Sequence, residues 1–342
     1  MKWMIACAST LMMALALCGC NLPAASNNNA QVATDHFVEG QLALDSQDYD
    51  TALAELRKAI QVDPSLSVAH AAIGDVYRKQ GHYDDAAQAY QQAIVTNPYA
   101  FRPHYNLGMV YQSMGEMARD AQEAADRIGK AIEAYLAALS LEPKDLDANM
   151  NLSACYFDQG EYDQAEKYAK VAIDIAPTNA AAKYNLGLIY EAANRPYDAI
   201  RSFKDSLELD VHQPKLLLAL GRVYIKLNRL RDAQKIFELA TKDAPASAEA
   251  WEQVGLVSYY ERKYDDAAAA YKKSAEIDAT RASAFRGMGV VYMTQFVESP
   301  QRTELRDQGL DAWNRSLELD SNQPELAQLV KKYTPALTKP AL

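Results

Sequence analysis

A small residue recurs along the chain at a fixed interval, and this periodicity constrains the fold more than any other feature. Six steps of 34 residues and one of 45 separate the eight positions. They are Gly40, Gly74, Gly108, Ser153, Gly187, Gly221, Gly255 and Gly289. A second small residue follows after twelve positions in the regular units, and prolines close five units. Such a period predicts a stack of repeated supersecondary units, each burying its apolar face against its neighbours.

The composition predicts that each unit is a pair of helices. Ala, Leu, Glu, Lys, Gln and Tyr dominate, and strand-favouring runs of Val, Ile and Thr are rare. The small residues let two helices approach closely, and tyrosines or other large residues fill the space between pairs. Turn clusters such as residues 80–83 separate the two helices of a unit. Proline cannot continue a helix, so it ends the second one.

The second unit carries the pattern most fully, with Gly74, Tyr77, Ala86, Tyr90 and Pro98 in register. This pattern resembles the tetratricopeptide repeat family over about residues 33–321. The resemblance implies an all-α fold, a right-handed superhelix (α-solenoid) of about eight helix-turn-helix repeats with a C-terminal capping helix. It also implies a concave groove lined by the first helix of each pair, and an array that behaves as one domain.

The register predicts the boundaries of every repeat. They are 33–66, 67–100, 101–145 with an insertion, 146–179, 180–213, 214–247, 248–281 and 282–323 with an insertion, followed by a capping helix and tail over 324–342. Eleven extra residues in the third repeat make about three helical turns, so we expect a protruding, extended helix pair. In the eighth repeat, Ser299 and Pro300 predict the start of a helix.

The N-terminus predicts an export signal. Lys2 and an apolar stretch precede Cys20, with Leu17 three residues before the cysteine and Gly19 directly before it. This resembles the bacterial lipobox, although Cys18 stands where a small Ala, Ser or Thr is usual. The resemblance implies a signal peptide over 1–19 and a lipidated Cys20. Residues 20–32 then predict a flexible tether with a mean reach of about 20 Å. Asn21 favours an outer-membrane lipoprotein facing the periplasm.

A search for chemistry predicts no enzyme, no cofactor and no metal site. The five histidines occupy differing positions of their repeats, and no phosphate loop or nucleophile elbow occurs. Nearly every residue from 33 to 333 belongs to a repeat, which leaves no catalytic domain. The net charge of −10 argues against nucleic acid as a partner. Cys155 takes a position that is apolar in the other repeats, so we expect a buried, inert thiol.

The best candidate for a binding site is the groove around repeats five to eight. Repeat six has seven Lys or Arg against three acids. Arginine and tyrosine are favoured anchors at interfaces. In the family, the groove positions would be taken here by Tyr184, Lys215, Arg222, Lys226, Tyr259, Tyr260 and Arg286. We expect this patch to take an acidic or extended segment of a partner; the alternative is a solvated helix face.

One known groove chemistry does not fit. Some family members hold the carboxylate tail of cytosolic chaperones with a five-residue clamp of Lys, Asn and Arg. Asn106, Asn151 and Asn185 take its middle position, but Ala71 and Ala219 replace required cations. The clamp is therefore incomplete in every register.

These observations predict an interaction scaffold or assembly factor for pilus, secretion or export machinery. Its partners would be other proteins of the cell envelope, with membrane contact through the N-terminal lipid and no small-molecule substrate. An alternative is an adaptor that recruits or regulates cell-wall enzymes. Nothing in the sequence separates these two functions, because a fold does not specify a partner.

Overall fold

The computed structural model describes residues 24–334, with side chains from residue 28, and these residues form seventeen helices and no strand. The helices are α1 (Ala24–Asp45), α2 (Tyr49–Val62), α3 (Ser67–Gln80), α4 (Tyr83–Thr96), α5 (Phe101–Glu116), α6 (Ala121–Leu141), α7 (Leu146–Asp158), α8 (Tyr162–Ile175), α9 (Ala180–Ala192), α10 (Pro196–Leu207), α11 (Pro214–Lys226), α12 (Leu230–Asp243), α13 (Ala248–Tyr260), α14 (Tyr264–Ile277), α15 (Ala282–Glu298), α16 (Thr303–Leu319) and α17 (Pro324–Tyr333). The all-α array of helix pairs with one terminal helix is confirmed, because each repeat range holds two helices and α17 follows alone. None of the described helices combines the length and apolar character needed to cross a bilayer.

The described chain divides into two compact units between Gly160 and Glu161. The first unit holds α1–α7, and α1 packs with α2, α3 with α4 and α5 with α6. The second unit holds α8–α17, and its pairs are α9 with α10, α11 with α12, α13 with α14 and α15 with α16. The division falls inside the fourth repeat, so the single-domain behaviour of the array stays a prediction.

The helix boundaries follow from local chemistry. The side chains of Asp48, Asp145, Asn179 and Ser247 each accept a hydrogen bond from a backbone N–H in the first turn of the following helix. Gly81 ends α3 with φ of 77°, a left-handed conformation that favours glycine.

The insertion in the third repeat lengthens its helix pair, as predicted. Helix α5 has 16 residues and α6 has 21, whereas α3 and α4 have 14 each. In α6 the residues Ile128, Ala131, Ile132 and Tyr135 are buried on one face. Within the inserted segment, residues 116–130, only Ile128 belongs to this buried face, and Ala121 and Ala125 are exposed.

The prediction that Ser299 and Pro300 start a helix is wrong. Ser299 follows the last residue of α15 with φ of −141° and ψ of 75°, and α16 begins only at Thr303. The proline ring disfavours helical angles in the preceding residue, so this pair ends α15 instead.

The tether prediction is wrong for residues 24–32, because α1 already begins at Ala24. Residues 28–32 are exposed, and the first buried side chain is Ala33. The hydroxyl of Thr34 donates to the carbonyl of Ala30 at 2.8 Å, and Gln31 donates to Asp35 at 2.8 Å. The helix thus extends beyond the core it packs on. The predicted signal peptide over 1–19 and Cys20 lie outside the described residues.

The repeat position that Cys155 occupies in the fourth repeat is buried in seven of the eight repeats. Burial, with smaller contributions from the nearby Asp158 and Glu116, raises the pKa of the Cys155 thiol to about 12. Such a thiol stays protonated and unreactive at neutral pH. The exception is Leu42 in the first repeat, which is 64% exposed. No described helix precedes α1, so no neighbour covers this side chain.

Candidate protein-binding surface

The first helices of repeats five to eight lie side by side in the second unit. Helix α11 contacts α9 and α13, and α13 contacts α15. The seven residues predicted to bind a partner all lie on these four helices, and we call them the first-helix surface. They are Tyr184 on α9, Lys215, Arg222 and Lys226 on α11, Tyr259 and Tyr260 on α13, and Arg286 on α15.

One cluster on this surface joins α9 to α11. The Nζ of Lys226 lies 3.0 Å from Oε1 of Glu191. The Lys226 side chain is 61% exposed, whereas that of Glu191 is only 15% exposed. Burial raises the pKa of the Tyr184 hydroxyl; Arg222 opposes this shift and Glu191 adds to it. The ion pair of Lys226 with Glu191 therefore links α11 to α9, the helix that also carries Tyr184.

A second contact joins α11 to α13. Nη1 of Arg222 lies 3.9 Å from Oε1 of Glu249, and both side chains are almost half exposed. An exposed pair at this distance contributes at most about 1 kcal/mol to folding. Arg222 can therefore leave Glu249 for a partner at little expense in stability.

A third cluster joins α13 to α15. The hydroxyls of Tyr259 and Thr294 lie 3.2 Å apart, and the ring centroids of Tyr259 and Tyr260 lie 6.0 Å apart. Tyr260 is 50% exposed. Burial raises the pKa of the nearby Tyr271, and the exposed Arg286 opposes that shift. Helix α13 with Tyr259 and Tyr260 therefore contacts helix α15, which carries Arg286.

Lys215 stands apart from these clusters. It is exposed at the start of α11, and neither Lys215 nor Arg286 forms an ion pair within the described part of the chain. The surface as a whole offers half-exposed tyrosine together with cations, of which two have no carboxylate partner in the described residues. Such a surface can hold an extended protein segment through aromatic contacts and charge-assisted hydrogen bonds.

Sequence reasoning missed the acidic residues on the same helices. Glu191 and Glu249 face two of the predicted cations, and Glu252 accepts hydrogen bonds from the guanidinium of Arg281 and, at 2.9 Å, from the hydroxyl of Ser283. The repeat register could have identified them, because these glutamates occupy first-helix positions of repeats five and seven. The charge of repeat six alone therefore overstates the positive charge of the surface.

A histidine cluster lies elsewhere, between α1 and α2. Ligand atoms of His36, Glu39 and Glu55 lie within 4.8 Å of one another, which the spacing along the chain did not reveal. Nδ1 of His36 lies 2.7 Å from Oε2 of Glu55, and Lys58 donates to the other Glu55 oxygen at 2.6 Å. These hydrogen bonds, that from Lys58 foremost, lower the pKa of Glu55. The cluster is satisfied as an ion-pair network, and we assign no metal to it.

Comparison with known families identifies the repeat. A sequence model described as "TPR repeat" matches residues 74–115, and three described as "Tetratricopeptide repeat" match residues 36–66, 116–180 and 191–254. Together these matches extend over most of the described repeats.

Relatives and solved structures agree with this result. The type IV pilus assembly protein PilF of Pseudomonas aeruginosa is 25% identical over 175 residues, which are 50% of this chain and 69% of that protein. A BBSome complex member BBS4 homologue of Drosophila melanogaster is 18% identical over 259 residues, 75% of this chain but only 53% of that protein.

Two solved structures share the fold. The C-terminal part of a TPR repeat-containing protein from Cytophaga hutchinsonii has a TM-score of 0.60, with 19% identity over 74% of this chain and 99% of that chain. The structure of P. aeruginosa PilF has a TM-score of 0.50, with 20% identity over 65% of this chain and 96% of that chain.

Proposed function

Because the chain belongs to the tetratricopeptide repeat family, we propose that it is a non-catalytic scaffold that binds other proteins through the first-helix surface. The observation that carries this proposal is that the first helices α9, α11, α13 and α15 lie side by side in the second unit and carry both tyrosines and cations. Tyrosine and arginine contribute more binding energy at protein interfaces than most residue types. A relative whose name describes an assembly factor supports the same role.

The partner segment is expected to be extended and to carry acidic residues. Lys215 and Arg286 have no carboxylate partner in the described residues, so an incoming carboxylate meets them without competition. Arg222 and Lys226 must exchange Glu249 and Glu191 for the partner. The half-exposed Tyr260 supplies an aromatic ring on α13, the helix that contacts α15 and its Arg286. Binding by this mixed surface depends on the spacing of charges, which favours specificity over raw affinity.

The proposed location is the periplasmic face of the outer membrane, with Cys20 carrying the lipid. Helix α1 begins at Ala24, so only residues 21–23 separate Cys20 from the helix. Four steps of at most about 3.5 Å bring the helix start within about 14 Å of the anchor. Nine further helical residues at about 1.5 Å each place Ala33, the first buried residue of the described chain, within about 28 Å of the anchor, which keeps the first repeat near the bilayer.

We further propose that the scaffold serves the assembly of pilus, secretion or export machinery. The likeness to the pilus assembly protein PilF supports this assignment, and the match covers half of the chain. An adaptor for cell-wall enzymes would present the same surface, so the identity of the partner decides between the two.

Site-specific photocrosslinking in intact cells tests the proposal. Benzoylphenylalanine replaces Tyr260 on the first-helix surface or, as a control, Tyr197, which is 70% exposed on α10. We expect a crosslinked partner from position 260 and none from position 197. Identification of a secretin, pilus or export subunit by mass spectrometry would support the assembly role, and wall-building or wall-cleaving enzymes would support the adaptor. Equal crosslinking at both positions would overturn the surface assignment.

The anchor has a separate test. Labelled palmitate is expected to enter the wild-type protein and not a Cys20→Ala variant, whereas a Cys18→Ala variant keeps the label. Equal labelling of the wild type and Cys20→Ala would contradict the lipoprotein assignment.

A further inference from the structure

A cleft lies where the third-repeat insertion departs from the regular repeat. The end of α5, the start of α6 and the end of α7 surround a cavity of about 610 Å³ in the first unit. Its walls include Ala121, Ala124 and Ile128, and Glu116 and Asp158 contribute carboxylates. We call this the acidic cleft. Its volume falls within the range of sites that take small groups or side chains.

The walls of the acidic cleft are held by contacts between the helices. Nε2 of Gln159, just after α7, donates to the carbonyl of Ala125 in α6 at 3.2 Å. A Cβ at Gly115 would come within 2.8 Å of Cδ1 of Ile128, so α5 and α6 are in close contact there. A cleft with such walls is formed before any ligand arrives, which lowers the entropy lost on binding.

The two carboxylates of the cleft have no cation opposite them. Neither Glu116 nor Asp158 forms an ion pair with any residue in the range 28–334, and Arg127 of α6 instead lies 4.0 Å from Asp84 and Glu123. Glu116 and Asp158 are both exposed, and desolvation against the cleft wall together with repulsion from Glu116 raises the pKa of Asp158. The cleft therefore holds two like charges beside an apolar wall, and a cation between them would relieve their repulsion.

We propose that the acidic cleft binds a lysine or arginine side chain from an extended segment of a partner protein. Its cationic head would lie between Glu116 and Asp158. The methylene stem would pack on Ala121, Ala124 and Ile128, as long basic side chains do on apolar surfaces. A hard divalent ion fits less well, because it requires about six oxygen ligands and the cleft supplies two carboxylates.

This site is independent of the first-helix surface. It lies in the other unit and selects the opposite charge, so each site can be tested while the other is unchanged. A scaffold with two such sites could contact two segments of one partner, or two partners at once.

The test uses the full chain and labelled pentapeptides of sequence Ala-Leu-X-Leu-Ala, with X being Arg, Lys, citrulline or Glu. Fluorescence polarisation is expected to show binding for Arg and Lys only, weakened at about 0.5 M NaCl, where charges are strongly screened. Glu116→Gln with Asp158→Asn should weaken binding by about tenfold or more. Ala121→Trp, which fills the cleft from an exposed position, should abolish it.

A matched control removes two exposed charges of the same repeat outside the cleft, Glu133→Gln with Glu142→Gln, and should bind like the wild type. Circular dichroism confirms that each variant is folded. The proposal is overturned if neither cationic peptide binds, if citrulline binds as well as arginine, or if the cleft variants bind as tightly as the wild type. Peptide binding that Ca²⁺ competes away at micromolar concentration would reassign the cleft to a metal ion and overturn it equally.

Discussion

The ring of Tyr90 lies directly against the backbone of Gly74, and a Cβ at position 74 would come within 2.7 Å of Cε1 of that ring. Tyr90 is fully buried, and its hydroxyl donates to Asp75 at 2.6 Å, which holds the ring in place. The same relationship links Gly108 with Tyr135 and Gly255 with Tyr271. The recurring glycine thus leaves room for a large side chain on the second helix of its own repeat.

Substitution of this glycine should destabilise the fold. Gly74→Val adds three carbons against a ring that cannot move, and we expect the free energy of unfolding to fall by about 2–3 kcal/mol through overpacking. Gly129→Val is the control, because a Cβ there would meet only the Gln159 amide, at 3.7 Å. Urea unfolding followed by circular dichroism measures both. Equal losses for the two variants would show that packing against Tyr90 is not the cause.

A buried serine on a second helix should contribute a hydrogen bond to stability. Ser274 is fully buried, and its hydroxyl donates to the carbonyl of Ala248 at 2.7 Å across the repeat. Ser274→Ala removes this hydrogen bond, so we expect the free energy of unfolding to fall by about 1 kcal/mol without loss of the fold. Ser321→Ala, at an exposed position in the turn before α17, should change the free energy of unfolding by less than about 0.5 kcal/mol.

The repeat register and helix pairs could be predicted because they depend on local patterns. Gly74 and Tyr90 lie sixteen positions apart in one repeat, so the sequence reveals both the close approach and the ring that fills it. The ion pairs on the first-helix surface could not be predicted in the same way. Glu191 and Lys226 are 35 residues apart, and only the packing of α9 on α11 brings them together.

The same reasoning explains the errors at the two ends of the array. The sequence over residues 24–32 lacks the periodic apolar residues that predict an amphipathic helix, because side chains 28–32 face solvent. Ser299 and Pro300 satisfy a rule for helix starts, but a proline also restricts the residue before it. Whether this pair starts one helix or ends another depends on the length of α15. The eighth repeat carries an insertion, so the 34-residue spacing does not predict that length.

The histidine on the loop before α11 should have a raised pKa. Nδ1 of His212 lies 2.5 Å from Oδ1 of Asp243, and this hydrogen bond, together with the negative charge, raises the pKa of His212 above its usual 6.5. Since the folded value is the higher one, the contribution to stability is complete below pH 6.5 and is lost as pH rises through the raised pKa. NMR titration should show the pKa falling in Asp243→Asn. An unchanged pKa would mean that the pair does not form in solution.

A charge swap on the first-helix surface separates partner binding from the internal ion pair. Lys226→Glu places a second carboxylate beside Glu191 and should abolish crosslinking from position 260. Lys226→Glu with Glu191→Lys restores the pair in reverse; because the side chain at position 191 is only 15% exposed, circular dichroism checks that both variants remain folded. If the partner binds Lys226 itself, the double variant still gives no crosslink from position 260, although its ion pair is restored. Recovery of crosslinking in the double variant would instead mean that Lys226 acts only by holding α9 against α11, and the partner-binding role would pass to Lys215, Arg222 and Arg286.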